Sequence, residues 1–213
     1  MVETLGQQGH QAVFADLAPD STLPGGMQGI QADLATTGGA EQFYRRARQI
    51  IGVPDVLVCN AGRGVHSLLA EGDPDDWEYI YRLNVFGTLR IIRAFLPEML
   101  ERGQGDIIII SSVSAQHPYP GGAVYASSKA ALEVIAETLR LEVQPRLRVA
   151  TIVPGVVDTN FFKANIGGEQ TPESIGWGAL SPQEVAKAVD YLLQRPAGTA
   201  INRLVIRPVA QPM

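Results

Sequence analysis

The stretch Asp106-Ile-Ile-Ile-Ile-Ser-Ser112, followed after a turn by Ala123-Val-Tyr125-Ala-Ser-Ser-Lys129 and a helical pattern running to Val143, decides how this chain folds. Four consecutive isoleucines closed by two serines read as a strand over 106–111 that is covered on both faces. The run over 123–143 has helical period and stops before Pro145, which cannot continue a helix. Working outward, further strand candidates lie at 11–17, 27–34, 55–59, 147–153 and 200–206, each short and rich in Val, Ile or Leu. Helical patterns fall between them at 40–51 and 76–102. A last one opens with Ser181 as N-cap and Pro182 at the first helical position. Strands alternating with helices predict an α/β fold, a Rossmann-like doubly wound parallel sheet, with residues 1–213 forming one domain. Residues 160–180 are Gly-containing and irregular, and they follow the C-terminal end of a strand. They serve either as a substrate loop or as a plain surface connection.

Composition narrows the function classes. Seventeen Lys+Arg stand against 22 Asp+Glu, a net charge of −5, which is a poor counter-charge for phosphate backbones and argues against nucleic-acid binding. One cysteine, Cys59, makes neither an intrachain disulfide nor a Cys-rich zinc site; it reads as a packing residue and fits a reducing, cytoplasmic setting. His10, His66 and His117 share no metal-ligand spacing, so no metal site and only loop or surface roles are expected for them. No leader-like or membrane-spanning apolar run is present, so neither a signal peptide nor a membrane partner is expected.

Chemistry concentrates at Tyr125 and Lys129. Positions i and i+4 of a helix share a face, so phenol and ammonium lie within a turn of each other. A nearby cation favours the phenolate, and a tyrosine so tuned can exchange a proton near neutral pH. Six Tyr and three Lys in 213 residues produce on the order of 0.1 such pairs by chance, so the pair alone is suggestive only. Ser112 closes the isoleucine strand 13 residues earlier, where its hydroxyl either caps the strand end or hydrogen-bonds a substrate oxygen. Asn60-Ala61-Gly62 closes another strand. Asn84 sits inside the 76–102 pattern, an unfavourable helix-interior residue whose amide points to a specific polar role. Pro154-Gly155-Val156-Val157-Asp158-Thr159 turns directly off the 147–153 strand.

These motifs, in this order, resemble the short-chain dehydrogenase/reductase family: Asn60-Ala61-Gly62, Asn84 within Asn-Val-x-Gly, the Ile-Ile-Ser-Ser segment, Tyr125-x-x-x-Lys129, and Pro154-Gly155-x-Val157-x-Thr159. The resemblance implies NAD(P)(H)-dependent interconversion of a secondary alcohol and a ketone by hydride transfer. It makes Tyr125 the general acid/base, and gives Lys129 the nicotinamide ribose and the task of lowering the tyrosine pKa. Ser112 would polarise the substrate oxygen, and Asn84 would join a water-linked proton relay to Lys129. Asp16 would read the adenosine ribose, favouring NAD(H) because a carboxylate repels a 2′-phosphate, with NADP(H) still possible. Asp33 and Leu34 would flank the adenine, Asn60, Ala61 and Gly62 would line the cofactor, and Pro154, Gly155, Val157 and Thr159 would sit beside the carboxamide. The helices at 76–102 and 123–143 resemble those through which family members form homodimers or homotetramers.

The family's first strand and its Gly-rich turn are not matched before residue 11, so the sheet is expected to lack its first strand and the cofactor its pyrophosphate anchor. The glycines at Gly6/Gly9, Gly25-Gly26 with Gly29, and Gly62/Gly64 are decoys for that turn. Expected explanations are an internal start within a longer reading frame, a truncated relative, or a strand supplied by another chain. An alternative function follows: a catalytically impaired, truncated member acting only as an association module.

Overall fold

The computed structural model describes residues 2–19, 27–168 and 170–212. Its elements run α1 (Val2–Gln7), β1 (Ala12–Asp16), β2 (Met27–Gln31), α2 (Thr37–Ile51), β3 (Val56–Cys59), α3 (Pro74–Tyr81), a π-helical segment (Arg82–Gly87) and α4 (Thr88–Arg102). Then come β4 (Asp106–Ile110), a 3₁₀ turn (Val113–Ala115), α5 (Ala123–Val143), β5 (Arg148–Pro154), α6 (Pro172–Ile175), α7 (Pro182–Leu193) and β6 (Arg203–Ile206). Every strand pairing is parallel, as the α/β reading requires. β1 pairs with β2, and β3, β4, β5 and β6 form a four-stranded sheet in that order. β1 and β3 share no ladder, so the described strands make two sheets. Gly25 and Gly26 lie outside the described residues, and Gly29 lies within β2.

Alternation along β4 builds both cores. Ile107 and Ile109 face a cluster with Leu57, Cys59 and Val149 under α2, α4 and α5, completed by Phe43, Phe95, Met99 and Leu139. Ile108 and Ile110 face the other side, against Ile152 and the α7 residues Val185, Val189 and Leu192, with Leu5 of α1 at the margin. Burying each such side chain is worth roughly 1.5–3 kcal/mol, so four isoleucines facing both ways hold the two helical layers to one strand. Val13 and Ala15 of β1 pack on the first of these clusters, which ties the two-stranded sheet to the four-stranded one through side chains.

The continuous helix expected over 76–102 is present from Pro74 to Arg102, with a π-helical widening over Arg82–Gly87 inside it. Asp73 caps α3 through Asp75 N, and the π-helical segment then joins α3 to α4 without a break in helical backbone. A Cβ at Gly87 would lie 2.9 Å from the carbonyl oxygen of Leu34, so the backbone passes close to the end of β2 where only glycine fits. Thr88 Oγ1 donates to Asn84 O at 2.8 Å, taking up a carbonyl inside the widened turn. α2 begins earlier than expected, at Thr37, because Thr36 Oγ1 accepts from Gly39 N at 3.0 Å and holds two glycines in the first turn. Ser181 caps α7 as expected, accepting from Glu184 N at 3.3 Å.

Candidate active site

In a parallel sheet all C-terminal strand ends share one edge, and there the motif residues collect. Asp16 ends β1; Asp33 and Leu34 follow β2; Asn60, Ala61 and Gly62 follow β3; Ser112 follows β4; and Pro154, Gly155, Val157 and Thr159 come from the end of β5 and the turn beyond it.

The β4–α5 corner holds the reactive groups. Lys129 and Ser112 are both buried, and Lys129 Nζ donates to Ile110 O at 2.9 Å. Burial lowers its pKa to about 8. The ammonium lies 5.9 Å from the centroid of the Tyr125 ring. Ser112 lies beside Tyr125. Burial pushes the Tyr125 phenol up from its ordinary value; the neighbouring Ser112 hydroxyl opposes this and the nearby Tyr119 adds to it. This is opposite to the direction expected from the Lys129 cation, because in this arrangement desolvation of the phenolate outweighs an ammonium that is itself partly desolvated.

Asn84 is fully buried and joins three elements. Its Nδ2 donates to Arg63 O and to Ser128 Oγ, each at 3.0 Å, while its Oδ1 accepts from Arg63 N at 2.9 Å. Both backbone groups of Arg63 are thereby fastened, which holds the Asn60–Gly62 turn against α5. A Cβ at Gly62 would stand 3.2 Å from Asn84 Oδ1 and 3.4 Å from Lys129 Nζ, so this glycine leaves a cradle open above the ammonium. Lys129 spends one donor on Ile110 and faces that cradle, which fits a ribose diol. At the far end Asp16 and Asp33 each close a short turn, accepting from Ala18 N and Ala35 N at 2.9 Å.

The 160–180 region closes over the corner. Ile166 pairs with Val65 in an isolated parallel bridge, Val157 pairs with Leu180, and the Phe161 ring lies 5.5 Å from the Tyr125 ring. Arg63 Nε donates to Ala164 O. His66, expected as a loop or surface residue, is half-buried and stacks on Tyr119 at 6.0 Å, with its Nδ1 buried and unpartnered. Cys59 is buried as expected, its thiol pushed up to about 12.

Two further polar residues organise the corner, and sequence reasoning missed both. Gln211 is buried, and its Oε1 accepts from Val156 N at 3.0 Å, fastening the Pro154–Val156 turn to the C-terminal segment. Glu133, one turn beyond Lys129, accepts from Ser111 Oγ and Gln116 Nε2. The unfavourable placement of a carboxylate on the inward side of α5 was the available signal for Glu133; Gln211 offered none.

Residues 4–169 match the family described as short chain dehydrogenase. The chain belongs to that family. An oxidoreductase from Staphylococcus saprophyticus, itself uncharacterized, is 35% identical over 172 residues, which cover 79% of this chain and 69% of the relative. Among solved structures, an alcohol dehydrogenase from the archaeon Thermococcus sibiricus complexed with 5-hydroxy-NADP superposes with a TM-score of 0.86 at 26% identity. It covers 99% of this chain and 91% of its own. The closed form of a serine dehydrogenase complexed with NADP+ gives a TM-score of 0.86 at 30% identity, covering 97% and 88%. The Rossmann-like architecture of this short chain dehydrogenase is therefore shared with those enzymes along nearly its whole length. Among the described residues no helix is long and apolar enough to cross a membrane.

Proposed function

We propose that the chain, acting as one domain, interconverts a small secondary alcohol and the corresponding ketone with a nicotinamide cofactor, NAD(H) in preference to NADP(H). The observation that carries this reading is the meeting of Ser112 and Tyr125 beside the buried Lys129 ammonium at the C-terminal edge of β4. The cradle over Gly62 supports a ribose held by Lys129, with Asn60 and Ala61 along the same wall. Pro154, Gly155, Val157 and Thr159 hold the carboxamide side, and Asp33 and Leu34 the adenine. Asp16 repels a 2′-phosphate, which favours NAD(H), although solved relatives carry NADP ligands.

The bound nicotinamide supplies the hydride chemistry. The protein handles the proton. In the reducing direction Tyr125 Oη gives its proton to the substrate oxygen while Ser112 Oγ–H hydrogen-bonds to that same atom. Burial keeps the phenol protonated and ready to donate. Lys129 stabilises the phenolate that remains, and Asn84 holds the Arg63 backbone and α5 in the spacing this requires.

Exposed apolar residues on the two long helices, Leu89 on α4 and Val134 and Leu141 on α5, support pairing of identical chains through those helices. Phe86, next to α4, adds to them. Calorimetric titration with NADH and NADPH, followed by turnover of a panel of secondary alcohols and ketones, tests the reading. Binding of NADH ahead of NADPH is expected, and Tyr125→Phe should reduce turnover by about 100-fold or more while leaving cofactor binding intact. Retained turnover in Tyr125→Phe removes the acid/base assignment. Failure of either cofactor to bind at millimolar concentration, in a chain that still dimerises, leaves the association module as its role.

A further inference from the structure

Glu133 lies on α5 one turn past Lys129 and two turns past Tyr125, and its side chain is only 18% exposed. A carboxylate so placed costs stability unless its oxygens are satisfied. Here three separate elements supply the partners. Ser111 Oγ donates to Oε1 at 3.1 Å, Gln116 Nε2 donates to Oε2 at 2.9 Å, and Arg203 Nη2 of β6 stands 3.6 Å from Oε1. The first two partners bracket Ser112. Ser111 immediately precedes it and is itself buried, with Oγ also 3.3 Å from Lys129 O. Gln116 ends the 3₁₀ turn that Ser112 begins: Ser112 Oγ accepts from Ser114 N at 3.2 Å, and Gln116 N donates to Val113 O at 3.1 Å. Both oxygens of one carboxylate thus grip the two ends of the turn carrying Ser112, from the helix that carries Tyr125.

We propose that Glu133 is a positioning residue, setting the spacing between Ser112 and Tyr125 by clamping both ends of the Ser112–Gln116 turn to α5. Packing alone would not need this arrangement, since an apolar side chain would fill the same space without three polar partners. Each carboxylate oxygen receives a donor from a different end of the turn, so the turn cannot rotate about a single bond. The proposal rests on the Ser112–Tyr125 assignment above.

Two readouts test it, one of them independent of catalysis. In the first, Glu133→Gln retains the shape but presents a donor to one of the two donors it should accept from. It is expected to lower kcat about tenfold, the scale typical of supporting residues behind a reactive group, with the cofactor Kd unchanged. In a Ser112→Ala background the same change should cost less than twofold, because the clamp then has nothing to position. Glu133→Asp should recover part of the loss. Losses that add fully in the double variant, or that appear equally in cofactor Kd, overturn the proposal. In the second, the chain carries ¹³C-labelled tyrosine and the Tyr125 ring signal is assigned by its absence in Tyr125→Phe. Glu133→Gln should move that signal in the same direction as Ser112→Ala, and an unmoved signal overturns the proposal even if the chain turns over no substrate. Should Glu133→Gln fail to fold, Gln116→Ala removes one arm of the clamp at an exposed position and should show a smaller effect of the same sign in both readouts. A chain with the NMR shift but no turnover on any alcohol or ketone would count against the proposed reaction and leave the clamp standing.

Discussion

The two ends of the strand-edge strip differ in how tightly they are held. At the β4–α5 end, Ser112, Lys129 and Asn84 are buried; Lys129 bonds to Ile110 of β4 and Asn84 to Arg63 and Ser128, while Ser112 caps its own turn through Ser114 N. At the β1–β2 end, Asp16 and Asp33 close short turns with backbone groups two residues away, and Asp16 is exposed. Long-range bonds fix a side chain relative to the whole sheet, whereas local turns fix it only relative to its own strand. The geometry proposed for proton transfer thus rests largely on tertiary contacts, and the groups proposed for the adenosine side only on local ones. Loss of the Asn84 bonds at the first end should damage rate and stability together; substitutions at the second end should alter preference alone.

The sharpest way to break this contrast is Asn84→Ala. It leaves the Arg63 backbone and Ser128 without partners in a buried site, so a loss of roughly 2–4 kcal/mol in denaturant unfolding is expected. Turnover should fall about 100-fold as the Asn60–Gly62 turn loosens from α5. A variant with unchanged stability would mean that the tight end is not tight. Asp16→Ser comes next: it should shift preference from NADH toward NADPH by about tenfold in Kd while leaving the melting temperature within a degree or two, because only a surface carboxylate is removed.

Lys129→Met separates stability from catalysis at one residue. The folded chain holds the Lys129 proton with a pKa lowered to about 8 from 10.5, so between those values the unfolded chain is the more protonated. Stability therefore rises with pH across that window, and the burden of a buried ammonium is fully present below it. The variant should melt higher than the parent near pH 7, by a few degrees, with the gap closing by pH 10.5, while turnover is lost. A gap that stays constant with pH would mean the ammonium is not desolvated. The smallest effect is expected from Gln211→Ala, which releases Val156 N and should raise KM several-fold with little change in kcat.

Much of this was legible in the residues themselves. Each strand was marked by a short run of Val, Ile or Leu whose dispersion along the chain predicts burial on both faces, and all six were found within a few residues of their expected limits. The strand over 27–34 ends at Gln31 because Asp33 turns the chain back through Ala35 N, a competition between side chain and ladder that hydrophobic pattern does not register. The π-helical widening between α3 and α4 was hidden because residues 82–87 continue a helical pattern. Only Asn84 hinted at it, and the widening is decided by the approach of Gly87 to Leu34 and the bonds from Asn84 to Arg63 and Ser128.

Periodicity and turn chemistry, being properties of neighbours in the chain, determined the order of strands and helices and put the motif residues other than Asn84 at strand ends or on one helix face. Which polar groups meet was left to the tertiary structure. Glu133 finds Ser111, Gln116 and Arg203, and Gln211 finds Val156, across separations set by sheet register and by how α5 and the C-terminal segment pack. Such pairings follow from where burial of the whole apolar surface brings distant segments together, and no local stretch of sequence carries that information.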